Sequence, residues 1–204
     1  MAESVTAATA NPKKLAEIEV IFAAVVGPGV ALSPRPPGLA DVDETGDTLE
    51  ANAELKAVAV ALAADGAAIA DDTGLEVDAL DGAPGVRSAR FAGDDATDAD
   101  NVALLLHRLD GVAADRRTAR FRTVICLARP GRPPVFATGV CSGRIADAPA
   151  GEGGFGYDPV FVPDDGDGRS FAQMSATEKH AISHRGRAMA AAADLLPAFL
   201  ADGG

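Results

Sequence analysis

Residues 69–74 read IADDTG, an apolar run that stops at two adjacent aspartates, a threonine and a glycine. One reading is a buried strand ending in a solvated turn, for which Asp, Thr and Gly are ordinary residues. The other is a strand that delivers carboxylates to the mouth of a cleft, where they hold a metal and act as a base. Side chains alternate along a strand, so if it persists to its end only one of Asp71 and Asp72 faces the cleft, and the other braces the turn. Upstream, DETGDTLEANAELKAVAVALAADG (43–66) predicts a helix. Asp47 and Glu50 resemble a capping box, Leu55, Val58, Ala59 and Leu62 form its buried stripe, and Gly66 ends it. Asn52 and Lys56 lie four apart and share a face, while Asp43 and Glu44 sit in the loop before the helix. Downstream, TGLEVDALDGAPGV (73–86) reads as a turn, a short strand with Glu76 and Asp78 pointing outward, and a second turn.

Further out, SVTAATA (4–10) is strand-like and is followed by Asn11 as an N-cap and Pro12 at the first helical position. Leu15, Ile18, Phe22 and Val25 then recur at helical spacing. A strand feeding a helix N-terminus is a ready anion site, and Thr9, Asn11, Lys13 and Lys14 crowd it, although plain βα turns share the pattern. Residues 97–110 read as a helix, and 117–129 and 134–145 as two long antiparallel strands. Ser175 and Glu178 form a capping box that opens one Ala-rich helix, kinked near its end by Pro197. With no repeat and no linker, the chain is expected to be a single mixed α/β unit.

Composition narrows the function classes. At 204 residues the chain suits one domain, or one with a small lobe. Hydrophobic residues make up 48% and aromatic ones 4%, so the core is expected to be Ala, Val and Leu. A formal net charge of −12 argues against a nucleic-acid polymer as partner. It does not argue against a small phosphorylated ligand held through a divalent ion. No basic-then-apolar leader and no membrane-length run is present, so a cytoplasmic protein is expected and a membrane partner is not. Cys126 and Cys141, separated by fourteen residues, match no zinc or redox motif and are read as small core residues. The chain has fourteen Arg but only four Lys, at 13, 14, 56 and 179. A compact ammonium on a flexible stem suits a phosphate or keto oxygen.

Several motifs are decoys. GEGGFG (151–156) matches the dinucleotide fingerprint G-x-G-x-x-G, but no strand precedes it, and Pro159 disfavours a helical Asp158. DDGDGRSF (164–171) lacks the later acidic positions of a calcium loop. There is neither a phosphate-binding P-loop lysine nor a G-x-S-x-G nucleophile elbow. Phe155 lies in a Gly-rich stretch, where an aromatic ring can stack on a base, and Tyr157 is the chain's one tyrosine. Both residues would equally suit a core.

Five segments, TANPKK, ETGDTLEANAELKA, ADDTGLEVDALDGAPGVRSARFAG, GFGYDPVF and EKHAISHRGRA, resemble in order and spacing the noncanonical purine nucleoside triphosphate pyrophosphatases, the inosine triphosphatase family. The resemblance covers essentially the whole chain, and all four lysines fall inside it. It implies an α/β fold with an elongated mixed β-sheet and flanking helices, forming two lobes around a central cleft, as one pyrophosphatase domain over 1–204. It implies hydrolysis of inosine, deoxyinosine and xanthosine triphosphates to monophosphate and pyrophosphate, with Mg2+, by a homodimer. By position, Asp72 is the proton acceptor and a magnesium ligand, Glu44 rather than Asp43 is the second ligand, and Lys56 is catalytic. Thr9, Ala10, Asn11, Pro12, Lys13 and Lys14 touch the triphosphate, with Asn52 and Thr73 beside the substrate. Phe155, Gly156, Tyr157, Asp158, Lys179, His184 and Arg185 line the nucleotide pocket.

Two positions depart from the family pattern, which usually has Gly where this chain has Ala10 and Ser where it has Thr73. Threonine keeps the hydroxyl, and alanine fits if its φ is negative. In the implied reaction water attacks the α-phosphorus, Asp72 takes its proton, and the lysines neutralise the leaving pyrophosphate. Lys179 or Arg185 aimed at the 6-keto oxygen of hypoxanthine or xanthine would reject adenine, whose 6-amino group is a donor facing a donor. One such mismatch is worth on the order of 1–3 kcal/mol. The rival readings are a pyrophosphatase for pyrimidine or modified triphosphates, and a non-catalytic nucleotide sensor. A sensor would have little use for paired carboxylates.

Overall fold

The computed structural model describes residues 3–201. Its elements run β1 (Glu3–Ala7), α1 (Pro12–Val26), β2 (Val30–Ser33), α2 (Leu49–Ala64), β3 (Ala68–Val77), β4 (Pro84–Gly85), α3 (Asp98–Arg108), β5 (Thr118–Ala128), β6 (Val135–Ile145), β7 (Phe161–Pro163), α4 (Ala176–Ile182) and α5 (His184–Ala201). The strands form a mixed sheet in the order β2-β1-β3-β5-β6-β7, with β4 on β3. β1 pairs parallel with β2 and with β3, and helices α1 and α2 make the crossovers that parallel pairing needs. The connection from β5 to β6 spans only 129–134, too short for a parallel crossover, so these neighbours form the expected antiparallel hairpin.

The turn expected at Thr73 and Gly74, directly after Asp71 and Asp72, does not form. β3 runs unbroken from Ala68 to Val77 through all four residues. It is held by β1 at one end (Thr6 with Ala68, Ala7 with Ile69) and by β4 at the other (Leu75 with Gly85). Pairing at both ends overrides local turn chemistry, as sheet context generally does.

Two helices also depart from their sequence patterns. Thr48, not Asp47, caps α2 by accepting from the Ala51 N–H, and Asp65 ends it in the left-handed conformation (φ 47°). The buried face of α2 is Leu49, Asn52, Ala53, Ala57, Val60 and Ala61. Leu55, Val58 and Leu62, expected inside, are 39%, 36% and 64% exposed. Alanine and valine recur on several faces of this helix, so its large residues do not mark the inner one. The small alanines pack closely there, with the Asn52 side chain among them. The C-terminal segment is two helices rather than one, because Ser183 is extended (φ −72°, ψ 157°) between α4 and α5. Pro197 lies inside α5, which continues to Ala201.

The chain divides into two compact units. Among the described residues the first comprises those up to 72, 123–139 and those from 186 on; the second comprises 73–122 and 140–185. Each has its own core. That of the first includes Val5, Ile18, Phe22, Ile125, Met189 and Leu196, and that of the second Leu75, Leu105, Phe121, Tyr157, Phe161 and Phe171. Cys126 and Cys141 are free and buried, and burial, with Glu54 adding, pushes the Cys126 thiol up to about 12. No helix among the described residues is long and apolar enough to cross a membrane.

Candidate functional site

In the first unit the strand β3, the helices α1 and α2 and the loop before α2 bring five charged side chains together. Lys56, on the fourth turn-step from Asn52, donates to Asp72 Oδ1 at 2.6 Å and to Glu44 Oε1 at 2.8 Å. Lys14, on the first turn of α1, pairs with Asp71 at 3.4 Å. Both aspartates are buried. Asp71 therefore braces no turn; it is the partner of the helix-borne lysine, and alternation along β3 gives each aspartate its own ammonium.

Three carboxylates and two ammoniums thus lie close together. Burial alone would pull the Lys56 ammonium down, but Asp72, Asp71 and Glu44 outweigh it and hold it above its ordinary range. Burial pushes the Asp72 carboxyl up, Lys56 opposes, and Glu44 adds to the rise. The two rises have different causes: burial for the Asp72 carboxyl, and the surrounding carboxylates for the Lys56 ammonium.

Asn52 is 0% exposed. Its Oδ1 accepts from the Gly46 N–H at 2.8 Å and so ties the loop bearing Glu44 to α2. Its Nδ2 is buried without a hydrogen-bond partner. Asp43 lies in the same loop, but Lys56 takes Glu44. At the start of α1, Asn11 Oδ1 accepts from the N–H groups of Lys13 and Lys14, and Thr9 Oγ1 accepts from Asn11 N–H. Ala10, Asn11, Pro12 and Lys13 are exposed. The only described non-glycine residues with positive φ are Asp65 and Asp81, so the backbone at Ala10 does not require glycine.

The second unit gathers the remaining candidates. Asp158 Oδ2 accepts from Lys179 Nζ at 2.7 Å and from the Phe155 N–H at 2.9 Å. The Lys179 ammonium lies 5.1 Å from the centroid of the Phe155 ring, and the Arg185 guanidinium carbon 5.6 Å from it. Both are within cation–π range. Arg185 is 1% exposed and donates to Thr73 Oγ1 at 3.3 Å. His184 stacks on Phe121, with centroids 4.4 Å apart and planes 19° apart. The break at Ser183 is what starts α5 at this ring. Phe155 is half-buried, whereas Tyr157 belongs to the core and donates its hydroxyl to the Ser88 carbonyl at 2.9 Å. Burial raises the Tyr157 phenol well above its usual range, with Asp98 adding. Gly156 donates its N–H to Asp98 at 2.9 Å.

Asp98, Ser88 and Phe121 are the residues that sequence reasoning missed. Ser88 and Phe121 act through a backbone carbonyl and a ring face, which leave no mark in the motifs. Asp98 reads as an ordinary acidic residue of a helix's first turn.

Chemically, the first unit offers carboxylates and ammoniums suited to a metal-bound polyphosphate. The second offers N–H donors beside an aromatic face, suited to a purine with a keto edge. Comparison with known proteins gives the family. The Ham1 family model matches residues 5–195. A dITP/XTP pyrophosphatase of Nitratidesulfovibrio vulgaris is 48% identical, covering 96% of this chain and 97% of that protein. One of Geobacillus kaustophilus is 47% identical, covering 92% and 91%. The solved structure of a HAM1 protein from Coxiella burnetii superposes with a TM-score of 0.85 at 36% identity, covering 96% of this chain and 99% of that one. With a family match across nearly its whole length and relatives close to half identical, this chain belongs to the Ham1 family.

Proposed function

We propose that the protein hydrolyses noncanonical purine nucleoside triphosphates, dITP, ITP and XTP, to the monophosphate and pyrophosphate, and so removes them from the nucleotide pool of the cytoplasm. The observation that carries this reading is one ammonium, that of Lys56, shared by two carboxylates, Asp72 at 2.6 Å and Glu44 at 2.8 Å. That arrangement has a use when a divalent cation and a polyphosphate arrive together.

Among the described residues, no group of three or more His, Cys, Asp or Glu side chains could hold a metal. Two carboxylates nevertheless suit Mg2+, which binds through one or two protein carboxylates and completes its shell with water and substrate phosphates. Asp72 and Glu44 would hold it, and when bound it would neutralise charge on the phosphate oxygens. Asp72 accepts a proton from the water that attacks the α-phosphorus, and its raised affinity for protons makes it a better base than an ordinary aspartate. Lys56 orients that carboxylate, and Lys14 and Lys13 offset the charge of the departing pyrophosphate. Thr9 to Pro12 set the entry of α1 against the phosphates, and Asn52 holds the Glu44 loop in place.

In the second unit, Phe155 supplies the stacking face for the purine. Lys179 and Arg185 supply donors for the 6-keto oxygen, Asp158 aims Lys179, and His184, Thr73, Gly156 and Tyr157 shape the pocket. Both units together make one pyrophosphatase domain, a reading supported by a family match that runs through residues of each. The active species is proposed to be a homodimer.

Pyrophosphate release from ITP, dITP, XTP, GTP, ATP and dTTP, each with and without Mg2+, tests the reading. Turnover is expected for the first three, only with the metal. Equal kcat/KM for ATP and ITP would refute keto readout, and dTTP as the best substrate would turn the assignment to pyrimidines.

A further inference from the structure

Three consecutive residues of the Gly-rich loop are each tied to a different partner. The Phe155 N–H is taken by Asp158 at 2.9 Å, the Gly156 N–H by Asp98 at 2.9 Å, and the Tyr157 hydroxyl by the Ser88 carbonyl at 2.9 Å. Gly154 and Gly156 have φ of +71° and +60°, in the left-handed region where glycine is needed and where the unbound chain has the most freedom to lose. A segment of this kind keeps the ring of Phe155 in place only if its backbone is anchored.

The anchor at Gly156 comes from outside the loop. Asp98 is the first residue of α3, where the helix dipole favours an acidic side chain. The capping box of Thr97 and Asp100 fixes that helix end. Asn101, one turn on, accepts from Ala92 N–H at 2.8 Å and donates to the Ala89 carbonyl at 3.1 Å. α3 is thus bound to the same 88–92 segment that receives the Tyr157 hydroxyl. The loop is held by a bracket built from sequence 58 residues away, and Asp98 is the member of the bracket that reaches the residue beside Phe155. It is itself exposed, so its carboxylate is no part of the core.

We infer that Asp98 is a positioning residue for purine recognition: through the Gly156 N–H it holds the Phe155 ring beside Lys179 and Arg185. The inference rests on the reading of those three residues as the base pocket. It separates binding from chemistry, because Asp98 and the Asp72–Lys56 pair belong to different units.

The test uses the full chain and two variants, Asp98→Ala, which removes the acceptor, and Asp98→Asn, which keeps one. A charge-assisted hydrogen bond is roughly twice as strong as a neutral one, so Asp98→Ala is expected to raise KM for ITP on the order of tenfold with kcat within about twofold. Asp98→Asn is expected to recover most of that loss. Hydrogen exchange at the Gly156 amide, read by NMR without substrate, is expected to accelerate in Asp98→Ala and to slow again in Asp98→Asn. An unchanged KM in Asp98→Ala, a kcat that falls along with an unmoved KM, or an Asp98→Asn variant as impaired as Asp98→Ala would overturn the inference alone. A parent chain that releases no pyrophosphate from ITP would overturn the functional reading and this inference with it.

Discussion

The Lys56 ammonium and the Asp72 carboxylate form one ion pair, yet its two ends are not equivalent. Lys56 serves two carboxylates, so its loss takes the shared ammonium from both Asp72 and Glu44, which are buried or half-buried. Breaking a buried pair by removing one partner typically costs about 3–5 kcal/mol. Lys56→Met is therefore expected to lower the urea-unfolding free energy by an amount in that range. Asp72→Asn behaves oppositely. The Asp72 carboxyl is raised above its ordinary value of 3.8 in the folded state, so protonation favours folding, and this contribution disappears as pH rises from 3.8 through the folded value. A neutral Asn is spared that cost and leaves Lys56 paired with Glu44, so the variant should be no less stable than the parent at neutral pH. Its kcat should nevertheless fall by roughly 10²–10⁴, and the acid limb of kcat/KM in the parent should lie above 3.8. Parallel urea titrations and pH–rate profiles would check both signs, and a variant that turns over normally would remove Asp72 as the base.

At the scale of the element, α4 carries Lys179 and is only seven residues long, so its cap matters more than its length. Glu178 accepts from Arg169, from the Ser175 hydroxyl and from the Ser175 N–H, and these bonds bring its carboxyl down to about 2. A carboxyl lowered on folding stabilises the folded state above its ordinary value of 4.5, and that contribution is lost as pH falls towards about 2. Glu178→Gln should flatten the acid side of a Tm-against-pH curve in that window; a curve parallel to the parent's would show that the cap does not hold the helix. The Ser175–Glu178 box was legible in the sequence because capping is local chemistry, and so was Asn11 with Pro12 at α1. The break at Ser183 was not, since nothing in HAISHRG interrupts helical spacing; its visible correlate is the stacking of His184 on Phe121, a tertiary contact. The continuous β3 was hidden for the same reason: Asp-Asp-Thr-Gly has turn chemistry, and only pairing to β1 and β4 together with two lysines from elsewhere makes it a strand. Of the candidate site, the scarce lysines were the legible part: those at 14, 56 and 179 each pair with a buried aspartate, whereas which aspartate each one meets depends on the fold.

For the whole molecule, the six large hydrophobic residues exposed among the described residues, Val20, Val25, Leu55, Val58, Leu62 and Phe136, all belong to the first unit. Leu55, Val58 and Leu62 are spaced three and four apart along α2 and share one face. That face is opposite in character to the alanine-and-asparagine side that the helix buries, and leaving it in water forgoes the roughly 25 cal/mol per Å² that burial of apolar surface returns. Association of two copies through the first unit would recover it, and a two-fold arrangement is the commonest way for identical chains to do so. Under this reading Leu62→Glu combined with Leu55→Glu places like charges at the centre of the contact. The variant is expected to elute as a monomer by light scattering where the parent elutes as a dimer. Its thermal unfolding should become independent of protein concentration, while the parent's midpoint rises with concentration. A parent that is monomeric at every concentration, or a double variant that still dimerises, would rule α2 out as the contact.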